Sequence, residues 1–218
     1  MVTQPPPTPS DTRERLVIAA RDLFLMQGYR ATGIAQILRQ ADVNAGSLYH
    51  FFPTKEDLLM AVLEWYRAHI KDDLLDLHTA SISDPLERVF GLLDGYRKML
   101  TTTEFEVGCP IGNLALELTN THPGVRELLL VNFEQWVDAV TAFIDGAADR
   151  LPSDLDRRAL AVHILTAMEG GVMLARTYRD IRLFDQTVNH LRGYLESLQR
   201  EGTDWSAPKP PAKRRVKP

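Results

Sequence analysis

A single cysteine, Cys109, stands in 218 residues, so no internal disulfide can form and the chain suits a reducing compartment. No stretch approaches the roughly 18 apolar residues that a membrane-spanning helix needs. The opening MVTQPPPTPS lacks the apolar segment of a signal peptide and reads, from its prolines, as a disordered leader over residues 1–10. No membrane association and a cytoplasmic location are therefore expected. No GxGxxG, GxSxG or HExxH arrangement occurs, and the six histidines are scattered, which is poor ground for an enzyme. His69, Asp72, Asp73 and Asp76 share a helical face at ligand-like spacing, but such a run is more simply a solvated charged face. A di-iron helical bundle would need inward Glu-x-x-His pairs, and there are none. No metal and no cofactor are expected. Positive charge is also scarce: the chain carries a formal −4, and its first 60 residues hold six Lys/Arg against six Asp/Glu. That balance counts modestly against a nucleic-acid binder by charge alone.

What is present is helix signal throughout. The 44% apolar composition allows a substantial core, as one large or two small domains. From Asp11, Leu16, Ala19, Ala20, Leu23 and Phe24 fall on one face of a helix that Gly28 ends. Next comes ATGIAQILRQADVNAGSLYHFFPTKED, residues 31–57, which reads as two short helices at a sharp turn and the capped start of a third. This is helix-turn-helix grammar. With Val43, Leu48 and Phe52 turned inward, the second short helix exposes Asn44, Ala45, Gly46, Ser47, Tyr49 and His50. Small residues at a helix start allow close approach to base edges, while Tyr, Ser and His can donate to phosphate oxygens. Thr54 with Asp57 approximates a capping box. Lys55, a cation in a first turn, is unfavourably placed against the helix dipole unless an external anion such as a DNA phosphate sits there.

Taken together, Thr32 near a helix start, GSLYHFF, PTKEDLL and the preceding helix ending in GYRAT closely resemble the N-terminal domain of the TetR family of bacterial transcriptional regulators, over about residues 11–60. The resemblance implies that Thr32, Tyr49 and His50 hold backbone phosphates and that Lys55 caps the site from the next helix. It implies base reading by Asn44, Ala45, Gly46 and Ser47. Double-stranded operator DNA is the implied partner, with repression as the family default.

Beyond residue 56 the pattern stays helical. Asp84-Pro85, Gly108-Cys109-Pro110 and Pro123 open helices; Ser153 or Asp154 is expected to cap the next, and Asp185 to start the last. Nine helices and no convincing strand predict an all-α chain: a three-helix reader over 11–56, a helical ligand-binding and dimerisation domain over 57–202, and a disordered basic tail over 203–218. Val188, Leu191, Leu195 and Leu198 follow a seam-like spacing that is equally the stripe of an ordinary core helix. Gly170 and Gly171 suggest close helix approach near Leu174, because glycine weakens a helix by roughly 1 kcal/mol relative to alanine. In the TetR family the last two long helices form a four-helix dimer interface, so the resemblance implies a homodimer built through Gly171, Leu174 and that stripe, with a palindromic operator. It also implies a small-molecule effector, apolar or electrophilic, among the middle helices, and Phe105, Cys109, Asn113, Trp136 and Met168 are the side chains expected near it.

Cys109 carries two readings. At a helix start its thiolate would be favoured, making it a sensor of electrophiles, as in the subset of TetR regulators whose glycine-cysteine helix start this segment resembles. Alternatively it is a small buried apolar residue. Two other function classes compete with the regulator: a helical adaptor that binds proteins and retains no DNA, and a helical metalloenzyme. The tail SAPKPPAKRRVKP holds five Lys/Arg and no acid, leaving the rest of the chain near −9, and either adds sequence-blind DNA attraction or merely solubilises the end.

Overall fold

The computed structural model describes residues 11–200; the expected leader and the basic tail lie outside the described residues. Among the described residues there are nine helical rods and no strand. The capping side chains explain most of the boundaries. α1 (Thr12–Gln27) starts where Asp11 accepts the Arg13 amide and ends at Gly28, whose φ of 85° is open only to glycine without strain. α2 (Ile34–Ala41) stops at Asp42, in the left-handed region at φ 51°. α3 (Ala45–Phe51) is capped by Asn44, and α4 (Lys55–Ile70) by the Thr54–Asp57 box, with both reciprocal bonds present. α4 then widens into a π-helical stretch, Lys71–Asp76, and finishes as Leu77–Thr79. α5 (Pro85–Thr102), α6 (Pro110–Leu118) and α7 (Pro123–Asp145) each carry proline in the first turn. A 3-10 turn at Ala148–Arg150 leads to α8 (Arg157–Tyr178) and α9 (Ile181–Arg200).

Two of the expected starts are displaced. Asp156, not Ser153 or Asp154, caps α8 by accepting the Ala159 amide at 2.9 Å. α9 begins at Ile181 beside Asp180, whose carboxylate accepts the Arg182 amide. Asp185 is one turn inside the helix, and its carboxylate is engaged by Arg97 at 2.7 and 3.1 Å. A sequence offers several acidic residues near each helix start, and long-range ion pairs decide which one remains for the cap.

The apolar faces form two cores. One joins α1, α2, α3 and the first half of α4 through Leu16, Phe24, Ile37, Leu48 and Leu58, and takes in Leu114 and Leu118 of α6 with Val125 and Leu129 of α7. The other stacks α5, α7, α8 and α9 around Leu93, Trp136, Ile164 and Phe184. Ile111 packs against both. The expected division at residue 56 therefore does not coincide with the packing: Leu58, Leu59, Val62 and Leu63 are fully buried with the reader, and α6 and α7 complete that core. α8 is long and apolar enough by composition to cross a membrane, at a mean hydropathy of 1.3. Here it buries one face in the core, through Leu160, Ile164, Met168 and Val172, and leaves another exposed.

Candidate nucleic-acid interface and internal cavity

At seven residues α3 is far below the length at which a helix is stable alone, so its orientation is imposed by what it buries. Leu48 and Phe52 enter the core, while Asn44, Ala45, Gly46, Tyr49 and His50 are exposed and Ser47 is half-buried. Tyr49 keeps 53% of its surface. The Asn44 side-chain oxygen, Oδ1, accepts the Ser47 backbone amide at 2.9 Å, which leaves the side-chain nitrogen as the group able to reach outward.

Two of the expected phosphate contacts have partners inside the protein. Thr32 is 1% exposed; its hydroxyl donates to the Gly28 carbonyl at 2.7 Å and accepts from Gln27 at 3.1 Å. That hydroxyl fastens the α1–α2 turn and has no free hydrogen for a phosphate, a correction to its expected role. Lys55 spends one of its three donors inside the protein and keeps two N–H groups for a phosphate. Its Nζ donates to the Tyr29 carbonyl at 2.5 Å and lies 4.1 Å from the Tyr29 ring centroid. Burial lowers its pKa, and the nearby Glu117 carboxylate works against that shift.

Behind the reader lies a cavity of about 380 Å³. Its walls include Arg21, Asp22 and Leu25 of α1, Trp65, Tyr66 and His69 of α4, Tyr96 and Met99 of α5, Phe133 and Trp136 of α7, and Glu169 of α8. Arg21 stacks over Trp65 at 4.3 Å, and Trp65 stacks on His69 at 4.1 Å, a three-layer wall joining α1 to α4. His78 also lines the cavity; a Cβ on Gly95 would stand 2.5 Å from its ring, so the absent side chain is what admits it. Burial, helped by Lys98, lowers the His78 pKa.

The five residues expected near an effector are divided by the fold. Cys109 and Trp136 line the cavity; Phe105 and Asn113 line a separate groove of about 690 Å³ between the start of α6 and α8; Met168 is 1% exposed and lines neither. Cys109 is 6% exposed and caps α6 through its Sγ, 3.5 Å from the Gly112 nitrogen. Burial pushes its thiol well above the ordinary range, and the adjacent Glu169 adds to that. Desolvation thus outweighs the helix start that would favour a thiolate. Trp65, Tyr66, Tyr96 and Glu169 are among the cavity residues that sequence reasoning missed. In the sequence Trp65 and Tyr66 are merely two more apolar positions of α4, and nothing local distinguishes a core wall from a cavity wall.

Residues 16–62 match the model of bacterial regulatory proteins of the tetR family, and residues 85–191 match that of the tetracyclin repressor-like C-terminal domain. The chain is 31% identical over 172 residues to the uncharacterized HTH-type transcriptional regulator YxaF of Bacillus subtilis, covering 78% of this chain and 87% of that one. The chain belongs to the TetR family. It is 29% identical to the HTH-type transcriptional repressor DhaR of a Mycobacterium species, over 80% of this chain and 87% of that protein. The crystal structure of a regulatory protein TetR from Rhodobacter sphaeroides superposes with a TM-score of 0.75 at 26% identity, covering 83% of this chain and 96% of that one. As a TetR-family protein it is a DNA-binding transcriptional regulator rather than an enzyme.

Within this TetR-family chain the expected dimer residues are mostly committed internally. Leu191, Leu195 and Leu198 are at most 4% exposed, and Val188 is half-buried against the same core. Gly171 is buried under Phe184 and Thr187 of its own α9. The stripe is an intrachain core face, which corrects the seam reading. Leu174, at 42% exposure, remains on the surface with Val162, Met173, Tyr178 and Tyr194.

Proposed function

We propose that the protein acts in the cytoplasm as a homodimeric repressor that leaves a palindromic operator when a small molecule occupies the internal cavity. The supporting observation is a shared wall: α1 and α4, which carry the reader's core, also line the cavity through Arg21, Leu25, Trp65 and Tyr66. A ligand that pushes these helices apart displaces the reader directly. To release DNA it must favour the DNA-incompetent arrangement, and couplings of this kind are typically about 1–3 kcal/mol, or roughly 5- to 150-fold in affinity.

A second path joins the same two places. α6 starts at the cavity with Cys109, Pro110 and Ile111, and near its far end Glu117 accepts the Tyr29 and Arg30 amides at 2.9 and 2.6 Å, in the turn that leads into α2. The Arg30 guanidinium returns a bond to the Glu117 carbonyl at 3.1 Å. For dimerisation, Val162, Met173, Leu174, Tyr178 and Tyr194 on α8 and α9 offer an apolar face without cover in one protomer. A two-fold axis through that face would set two α3 helices about one DNA turn apart. The repressor role follows the relative DhaR, itself a repressor. Selection of bound duplexes from a random pool tests the proposal: enrichment of an inverted repeat is expected, and enrichment of a single unrepeated site or of nothing would overturn it.

A further inference from the structure

Glu169 stands in the middle of α8, in the partition between the cavity and the groove, and lines both. Its carboxylate rests against the start of α6: a Cβ built on Gly112 would lie 2.3 Å from its Oε2, so only glycine leaves it room. Its other oxygen, Oε1, is buried with no hydrogen-bond partner. The polar side chain beside the carboxyl group is the Cys109 thiol, and a thiol is a weak donor for a group with about four acceptor positions. Among the described residues no Lys, Arg or His nitrogen forms an ion pair with it. Burial accordingly raises the Glu169 pKa. Such a group is costly to keep, and a cation placed beside it relieves the cost.

Of the two imidazoles in the lining, His69 is stacked on Trp65 with its Nδ1 2.8 Å from the Trp65 carbonyl oxygen, and burial lowers the pKa of His78, which favours its neutral form. Arg21 is neutralised by Asp22 at 2.6 Å and is stacked on Trp65. Asp73, at the cavity mouth, has no counter-charge among the described residues. Phe133, Tyr96 and Trp136 present aromatic surface near Glu169, the kind that attracts a cation to its face. An anion entering would meet two carboxylates.

We propose that the cavity selects an organic cation: a small aromatic or apolar frame with one protonated nitrogen that donates to the Glu169 carboxylate. This deepens the effector reading above and rests on it for its regulatory meaning. A volume of about 380 Å³ is near the lower end of ligand sites, which suits a one- or two-ring compound.

Calorimetric titration of the full chain with a matched set, 2-naphthylmethylamine, 2-naphthylmethanol and 2-naphthoate, tests the charge preference. The amine is expected to bind at least about tenfold more tightly than the alcohol, with naphthoate weakest, a tenfold ratio being about 1.4 kcal/mol. Glu169→Gln is expected to erase the amine's advantage while leaving the alcohol's affinity within about twofold. Equal binding of amine and alcohol to the wild-type chain overturns the proposal without reference to any variant, and so does a Glu169→Gln protein that keeps the preference. A mobility-shift assay on the selected operator separates the two levels. Amine that binds without releasing DNA leaves the cation site standing and removes the effector reading; release by naphthoate instead leaves the effector reading and removes the cation site.

Discussion

Removing the Glu117 side chain should loosen the reader's first turn without touching a DNA-facing residue. Its carboxylate accepts two backbone amides, Tyr29 at 2.9 Å and Arg30 at 2.6 Å, and its Oε2 packs over Gly28. A hydrogen bond to a charged group contributes about 1.5–3 kcal/mol when sheltered. The Arg30 bond is exposed and its amide can turn to water, so the Glu117→Ala substitution should cost about 1–2 kcal/mol, chiefly through the part-buried Tyr29 amide. In a chain of this size that lowers Tm by about 2–8 °C. The local consequence is sharper. If opening of the turn is what exposes the Tyr29 amide, its hydrogen exchange should quicken about 5- to 30-fold, the factor corresponding to that energy. The assay is native-state exchange on the wild type, on Glu117→Ala, and on Glu127→Ala as a control at an exposed α7 position. Operator affinity measured on the same proteins should shift for Glu117→Ala alone. A Tyr29 amide that exchanges equally fast in all three would show that α6 does not hold the turn, and the proposed second path from cavity to reader would fall with it.

Other expectations follow from single side chains. Leu48→Ala, at a fully buried position of α3, should cost about 2–5 kcal/mol in urea unfolding and abolish operator retention, because the seven-residue helix keeps its place only by that anchor. Tyr49→Ala, at an exposed position, should leave stability within about 0.5 kcal/mol yet weaken operator binding; unchanged affinity in a mobility shift would exclude it from the interface. Asp84 caps α5 and is gripped by Arg150, which holds its carboxyl down to about 2. Since the folded value lies below the usual 3.8, its stabilisation is present above about pH 4 and disappears as pH falls towards 2. The pair is more than a third exposed, so the gain is at most about 1 kcal/mol, and acid titrations of wild type and Asp84→Asn should separate above pH 4 and converge below about 2. Cys109, kept as a buried thiol, should react with a disulfide reagent at pH 8 far more slowly than the unfolded chain does; equal rates would restore the reactive-thiol reading.

The reader was legible because its signals are local. Thr54 and Asp57 are three residues apart, Gly28 ends a periodic run, and Leu48 with Phe52 marks the buried side of α3. The internal partners of Thr32 and Lys55 were not legible, for the opposite reason. Each residue has a polar side chain whose partner, the Gly28 or Tyr29 carbonyl, is contributed by a neighbouring backbone whose position no spacing rule specifies. The α9 stripe failed similarly: the spacing of Leu191, Leu195 and Leu198 suits an interchain seam and an intrachain core alike, and their burial against α5 and α8 decides between them. Glu169 could not have been singled out at all. Its lack of a counter-charge is a property of six helices meeting around a cavity, and in the sequence it is one glutamate before two glycines.

The position of those glycines also bears on how the two ends of the molecule communicate. Gly170 has open space where a Cβ would project, whereas Gly171 is filled by Phe184 from α9, so the pair divides α8 into a face towards its own chain and a face towards solvent. Glu169 precedes them on the cavity partition, and Met173 and Leu174 follow on the apolar surface proposed for a second protomer. A ligand that draws the Glu169 carboxylate away from Gly112 would therefore act on α6 and α8 together: on the strut that ends at Glu117, and on the helix that carries the apolar surface proposed for a second protomer. Gly112→Ala offers a direct check, because the added methyl would meet Glu169 within 3 Å and must displace it. The substitution should alter operator affinity in the absence of any ligand, and an affinity identical to that of the wild type would mean that the carboxylate's position is not communicated to the reader.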